Sequence, residues 1–357
     1  MGKHIAFLIM NFSNGGGTER VTSVIANNLS MRGYTVSVIS CREGEKSRFY
    51  IKDDVTLLSL HGEQKTNAFL RKIDTVRQLQ RFVLEHRIDV LVAVDVALYL
   101  YLWPLQKKHL CKCIAWEHFN YYIANSRLVK FSRKFAAENA DCVIVLGKND
   151  LRNYKTHYKK INHIEYVYNP IALSVDKTTA MDKKRVIAVG RLSRQKGFDL
   201  LLEAWKIVEA NNTEWTLDVF GEGDLKKELQ QQMDELGLKK AHLCGFAKDI
   251  ENEYINSSIF ALSSRYEGFV LVLMEAQAKA LPCVSFNCKE GPAETIDDGV
   301  NGFLVEEGDV VGFADSLLKL MNDKKLRDSF SEHARKDLGR FDTNAVMEKW
   351  IKILGSL

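Results

Sequence analysis

Two glutamates eight residues apart, Glu267 and Glu275, bracket Gly268-Phe269-Val270-Leu271 and an apolar stretch that reads as helix. Eight residues are about two helical turns, so Glu275 can lie on the face of a helix whose mouth Glu267 overhangs. One carboxylate can then bind sugar hydroxyls and the other a ribose diol, each as a charge-assisted acceptor. The backbone N–H groups of Gly268, Phe269, Val270 and Leu271 would point at a phosphate or sugar oxygen. A second group is the turn Gly190-Arg191-Leu192-Ser193-Arg194-Gln195-Lys196-Gly197, which stands between a strand-like and a helix-like run. Arg191 can make a forked contact with a phosphate, Lys196 can set a point charge beside it, and Gly197 admits the backbone at the helix start. A diphosphate leaving group needs that neutralisation. A solvent-facing basic loop would have a similar composition, but glycines at both ends and three cations between favour the phosphate.

Weaker signals surround these two. Asn14-Gly15-Gly16-Gly17-Thr18-Glu19-Arg20 follows the first strand and opens a helix, where glycines allow close backbone approach to an anionic ligand. Its spacing departs from G-x-G-x-x-G, which argues against a dinucleotide-dependent oxidoreductase; a tight structural turn reads almost the same. His118, in Trp116-Glu117-His118-Phe119, stands among aromatics, where a histidine is often simply packed. Seven cysteines lie scattered, with no paired metal-ligand spacing, and read as free packing thiols of a reducing compartment. No metal site is expected.

The elements that must position these groups are legible from periodicity. With 357 residues, 46% hydrophobic and 27% charged, the chain is too long for one compact core, and two domains are expected. Strand-like runs at Ile5–Met10, Thr35–Ser40, Val90–Val94 and Asp141–Leu146 alternate with amphipathic stretches. After a polar passage the alternation restarts at Arg185–Val189, Thr216–Phe220, His242–Gly245, Ile259–Leu262 and Cys283–Phe286. Such alternation implies parallel sheets covered by helices, hence an α/β chain of two Rossmann-like domains. The expected boundaries are 1–172 for the first domain, 173–184 for a linker, 185–342 for the second domain, and 343–357 for a final helix that packs back on the first. Ligands of such sheets bind outside the carboxyl ends of the strands, so two facing domains would enclose a deep cleft. The N-terminal apolar run is too short for a signal segment, and Ile88–Leu105 is broken by Asp89, Asp95 and Pro104, so a soluble cytoplasmic protein is expected.

With the motifs in place, Glu267 to Glu275 resembles the E-x7-E motif of the retaining family 4 glycosyltransferases of GT-B fold. Gly190-Arg191 through Lys196-Gly197 is similar to that family's G-R-L-x-x-x-K-G loop. Gly221-Glu222-Gly223, Gly245-Phe246 and Asp298-Gly299-Val300-Asn301-Gly302 resemble its further elements in the same order, and the likeness spans nearly the whole chain. The resemblance implies that Arg191 and Lys196 hold a donor diphosphate with Gly190 and Gly221 beside it, and that Phe246 neighbours the base. It implies Glu267 on the transferred sugar and Glu275 on the nucleotide ribose. Gly16 and Gly17 would flank the reacting centre, and His118 would lie near the donor sugar. It further implies transfer from a nucleotide sugar, UDP-linked on the likeness of 285–294 to relatives using UDP-hexoses or UDP-N-acetylhexosamines. The family's usual account is front-face attack without a dedicated base. No D-x-D pair is apparent, so protein cations would stand in for a metal.

Charge is unevenly distributed. Residues 1–170 hold 25 Lys+Arg against 15 Asp+Glu, a net +10, whereas 171–357 hold 25 against 31, a net −6. Basic residues interleaved with apolar ones at Arg71–Arg87, Arg127–Lys134 and Arg152–Lys160 would suit an anionic membrane surface or a polyanionic acceptor; solvated helix faces would read the same way. With the resemblance, the expected acceptor is a saccharide or a polyprenyl-diphosphate-linked saccharide of bacterial surface-polysaccharide assembly at the inner membrane face. No nucleic-acid partner is expected. A nucleotide-sugar epimerase or hydrolase of the same shape is the alternative; it would require further acidic or histidine groups opposite the sugar, for which Glu117 and His118 are the candidates. A non-catalytic nucleotide-binding protein is disfavoured by the intact charged set.

Overall fold

The computed structural model describes the chain apart from residues 1, 43–45, 61–67, 120, 123–125, 172, 174–175, 290 and 337, and the side chains of 68–70. Ala172, Ser174 and Val175 of the expected domain junction and Glu290 of the 285–294 segment thus lie outside the described residues. The chain divides into two compact units, Met1–Ala172 with Phe341–Leu357, and Leu173–Arg340.

The first unit contains strands β1 (His4–Ile9), β2 (Thr35–Ser40), β3 (Val55–Ser59), β4 (Val90–Val94), β5 (Lys112–Trp116), β6 (Cys142–Val145) and β7 (Ile164–Tyr166). They form one sheet in the order β3-β2-β1-β4-β5-β6-β7, every pairing parallel. Helices α1 (Gly17–Met31), α2 (Ala68–His86), α3 (Tyr99–Lys107), α4 (Arg127–Asn139) and α5 (Lys148–His157) connect them. Central strands of a sheet covered on both faces must be apolar throughout rather than alternating, and β4 (VLVAV) is buried at all five positions.

The second unit repeats the plan with β8 (Arg185–Val189), β9 (Thr216–Phe220), β10 (Ala241–Gly245), β11 (Ile259–Leu262), β12 (Cys283–Phe286) and β13 (Gly302–Val305). Its parallel sheet runs β10-β9-β8-β11-β12-β13. The helices are α6 (Phe198–Asn211), α7 (Lys226–Leu236), α8 (Ile250–Ile255), α9 (Leu271–Ala278), α10 (Val310–Asn322) and α11 (Lys324–Ala334). Trp205 and Phe313 on α6 and α10 anchor the core on one face; Tyr254, Leu273 and Leu281 fill the other. Both sheets have the doubly wound order, in which the chain reverses direction between the first and fourth strands of each set.

The 173–184 segment, expected as the linker, is attached to the second unit. Thr179 is buried; its N–H donates to the Lys279 carbonyl at 2.9 Å and its hydroxyl to that of Ser257 at 2.5 Å, tying the segment to the second unit. A polar passage can dock this way because its backbone groups find carbonyl partners. The last helix, α12 (Thr343–Ser356), belongs to the first unit. Its Trp350 is wholly buried, with its ring centroid 4.9 Å from that of Trp116 and 6.1 Å from that of Phe7.

Trp350→Ala removes one of the two tryptophans of that contact, and a loss of about 3–5 kcal/mol is expected on truncating a buried tryptophan. Urea unfolding followed by near-UV circular dichroism measures it. A loss under about 1 kcal/mol would mean that α12 does not stabilise the first unit.

Candidate active site

In the second unit the reversal of strand order lies between β8 and β11, and the loops leaving their carboxyl ends carry the cationic turn and the first glutamate. Strand β8 ends at Val189 and β11 at Leu262, and their side-by-side pairing, Ile259 beside Val186 and Phe260 beside Ile187, brings together loops whose Lys196 and Glu267 are 71 residues apart in sequence. Their meeting point is an ion pair: the Lys196 ammonium donates to Glu267 Oε1 at 2.5 Å. The Ser264 hydroxyl donates to the same oxygen at 2.5 Å. Glu267 is 4% exposed, so its charge depends on these partners. The pair presents an ammonium and a carboxylate side by side, a cation suited to phosphate oxygens and an acceptor suited to hydroxyls.

Backbone economy around the pair explains the glycines. At Gly197 φ is +62°, and a Cβ there would lie 2.1 Å from the Ser263 carbonyl oxygen, so only glycine lets the two loops approach. At Gly190 a Cβ would stand 3.1–3.2 Å from the Lys196 methylenes, so the absent side chain is where the lysine stem lies. The loops are further laced together. Arg265 N–H donates to the Gln195 carbonyl at 2.8 Å, and the Arg265 guanidinium pairs with Asp199 at 2.5 Å. The β9 loop joins from the other side, where Leu192 N–H donates to the Glu222 carbonyl at 3.0 Å and Gly221 N–H to Gly245 at 2.8 Å. Phe246, just past β10, is 69% exposed.

Glu275 lies on α9 and is buried, with Tyr254 Oη donating to its Oε2 at 3.3 Å. Gly268, Phe269 and Val270 form the approach to α9. At Leu271 the outcome differs: its N–H donates to the Phe269 carbonyl at 3.0 Å, which removes it from the expected set of donors to a ligand. Gly291, in the loop after β12, packs on this segment, its Cβ direction meeting Val270, Gly268 and Glu267 within 3.3 Å. Cys288 beside them has its thiol pushed up to about 12 by burial, with the Glu267 carboxylate adding to the effect, so it is an inert packing group. Arg191 is solvent-exposed on the same turn. Lys196, Glu267, Gly190, Gly197 and Gly221 are thus gathered by direct contact, and Glu275 is carried by the helix that Glu267 precedes.

The other three expected site residues belong to the first unit. Gly16 is the N-cap of α1 and Gly17 its first residue, directly after β1. His118 follows β5 and is 9% exposed, its ring centroid 4.2 Å from that of Trp116. Burial lowers its pKa from 6.5 to about 3, so the ring is neutral at physiological pH. Glu117 is fully engaged in a buried network. Arg133 Nε donates to its Oε2 at 2.6 Å, Tyr154 Oη to the same oxygen at 3.1 Å, and the Phe119 N–H to its Oε1 at 3.1 Å. Burial still raises its pKa above the usual carboxylate range, against the pull of Arg133.

Three supporting residues were not singled out from sequence. Ser264 and Tyr254 are ordinary polar residues until the fold sets them against Glu267 and Glu275. Asp95, at the end of β4, holds φ at +121°, a backbone region that disfavours side chains. Its carboxylate accepts the Ala97 N–H at 2.8 Å, and burial raises its pKa. The only sequence trace of Asp95 is an acid interrupting an apolar run. Among the described residues no group of three or more His, Cys, Asp or Glu could hold a metal ion.

Two outcomes follow from this geometry. Between pH 6.5 and about 3 the unfolded chain binds a proton at His118 that the folded chain refuses, so stability falls as pH drops through that window. His118→Gln lacks this term, and on moving from pH 7 to pH 4 it should lose less stability than wild type by on the order of 2 kcal/mol. Parallel denaturation curves at the two pH values test it; equal losses contradict a buried neutral ring. Arg133→Met strands the Glu117 charge and should cost about 3–5 kcal/mol, whereas Glu117→Gln combined with Arg133→Met should recover part of that cost.

Residues 15–175 match the model of Glycosyltransferase Family 4, and residues 172–337 match that of Glycosyl transferases group 1. A glycosyltransferase of Haemophilus influenzae is 30% identical over 99% of this chain and 100% of its own length. The amylovoran biosynthesis glycosyltransferase AmsD of Erwinia amylovora is 29% identical, covering 98% of this chain and 99% of that protein. Among solved structures, Anabaena HepE in complex with UDP and glucose superposes with a TM-score of 0.82 at 20% identity, covering 99% of both chains. Two doubly wound sheets, a cation and a carboxylate joined where the second reverses, and full-length likeness to sugar-transferring enzymes have one reading: the chain belongs to the family 4 glycosyltransferases and has their GT-B fold.

Proposed function

We propose that this glycosyltransferase moves a hexose or N-acetylhexosamine from a UDP-sugar to a saccharide or polyprenyl-diphosphate-linked saccharide, with retention of configuration and without a metal. The Lys196–Glu267 ion pair, at the strand-order reversal of the second unit, is the observation that carries this reading. As the sugar–phosphate bond breaks, negative charge gathers on the diphosphate and positive charge on the anomeric centre. Lys196 and Arg191 stabilise the first, as positioned donors do elsewhere. Glu267 holds sugar hydroxyls, Glu275 takes the ribose diol, and exposed Phe246 offers a ring to the base. Neutral His118 can exchange hydrogen bonds with a sugar hydroxyl without bringing a charge, and Gly16 and Gly17 leave room for backbone approach. The leaving phosphate takes the acceptor proton, so no separate base is assigned.

The binding of UDP and glucose by the structural neighbour HepE supports a UDP-linked donor. The amylovoran role of AmsD supports bacterial polysaccharide assembly. Among the described residues no helix is long and apolar enough to cross a membrane; the basic first half favours peripheral contact with an anionic inner membrane face. Against the epimerase or hydrolase alternative stands Glu117. The acid that reading needed is already bound by Arg133, Tyr154 and a backbone N–H.

Incubation with UDP-sugars, with and without a lipid-linked saccharide, should release UDP only when acceptor is present, and EDTA should leave the rate unchanged. Proton NMR of the product should show the donor's anomeric configuration preserved. Lys196→Ala should lower turnover by about 100-fold or more with the fold intact by circular dichroism, and Glu275→Ala should weaken donor binding about tenfold or more. Wild-type turnover in Lys196→Ala, or epimerised sugar in place of transfer, would overturn the proposal.

A further inference from the structure

Helix α4 has two faces of opposite character. Ser132, Arg133, Ala136 and Ala137 are buried. Arg127, Leu128, Lys130, Phe131 and Lys134 are exposed, with Leu128 at 54% and Phe131 at 56%. Positions 127, 130, 131 and 134 fall on one stripe of a helix, so the cations and the phenyl ring share a face. Phe131 stacks on Phe135 with centroids 5.5 Å apart; Phe135 meets Trp103 of α3 edge-on at 5.3 Å, and the Lys107 ammonium stands 5.6 Å from the Trp103 ring centroid. The result is an aromatic strip across two helices, bordered by cations. The one acid of α4, Glu138, lies 4.0 Å from Lys134 and offsets a single charge.

Charge decides what covers such a strip. A protein partner could match the apolar part alone, but leucine and phenylalanine set among net positive charge suit anionic lipid headgroups, with the rings entering the headgroup boundary and the cations staying in its plane. We propose that the outer face of α4, extended by Trp103 and Lys107 of α3, is the surface by which this protein docks on an anionic bilayer. The proposal deepens the membrane part of the function above and is independent of the donor site. Docking there also has a consequence for chemistry. Inward-facing Arg133 of the same helix binds Glu117 at 2.6 Å and the Tyr121 carbonyl at 2.7 Å, so the loop bearing His118 is held to the helix that meets the lipid.

The test is cosedimentation of the full chain with phosphatidylglycerol–phosphatidylethanolamine vesicles and with pure phosphatidylcholine vesicles. Wild type should bind the anionic vesicles and leave them at high salt. Lys130→Ala with Lys134→Ala should weaken partitioning about fivefold per charge removed, and Leu128→Ser with Phe131→Ser should reduce it further at low salt. Both variants are surface changes that should keep the wild-type circular dichroism and the UDP-induced thermal shift. Equal binding to both lipids, no binding, or variants that bind like wild type would overturn the proposal. So would light scattering showing that Leu128→Ser with Phe131→Ser merely splits a dimer while vesicle binding is unchanged. Loss of the UDP shift in wild type, with vesicle binding intact, would instead fault the donor reading alone.

Discussion

The contact between Lys196 and Glu267 depends on strand order more than on either residue's neighbours in sequence. Strands β8 and β11 lie side by side because the chain, having built β9 and β10 outward on one side, returns to the centre and builds the other way. The loops at their carboxyl ends then lead into helices on opposite faces of the sheet, α6 on one and α9 on the other. A cation on one loop and an acid on the other meet between them. Burial makes their pairing obligatory, since a carboxylate 4% exposed without a donor would be costly.

Much of the surrounding architecture holds these two loops together. Gly197 brings the lysine turn against the Ser263 carbonyl, Gly190 makes room for the lysine stem, and Asp199 with Arg265 fastens the outer edge. Glu275 lies on α9, where the Tyr254 hydroxyl donates to it. The two acids therefore have different surroundings, one bound to a lysine and one to a phenol.

The first unit applies the same doubly wound plan to different material. Its strand ends present a glycine turn, a neutral buried histidine and the conformationally strained Asp95, in place of a cation–acid pair. Its charged pair, Glu117 with Arg133, is wholly buried and works as a clamp on the loop that follows β5. The second unit's ion pair joins two loops at the strand-order reversal; the first unit's is consumed in holding one loop to α4.

Local pattern determined a great deal. Strands β8, β9 and β11 are recognisable as apolar runs of strand length, and glycine-flanked turns marked where ligands could approach, because these properties depend on residues within a few positions of one another. Short or half-polar strands such as β7 and β13 were not legible, since pairing with a neighbouring strand, not hydropathy, makes them strands. Motif spacing named Lys196 and Glu267 but could not show that they touch, nor that Ser264 shares the bond. Only tertiary structure decided that Glu117 is spent on Arg133 and that the 173–184 segment is tied down through Thr179. Each of those outcomes is set by a hydrogen-bond partner, and a partner distant in sequence exists only once the sheet has brought the two segments together.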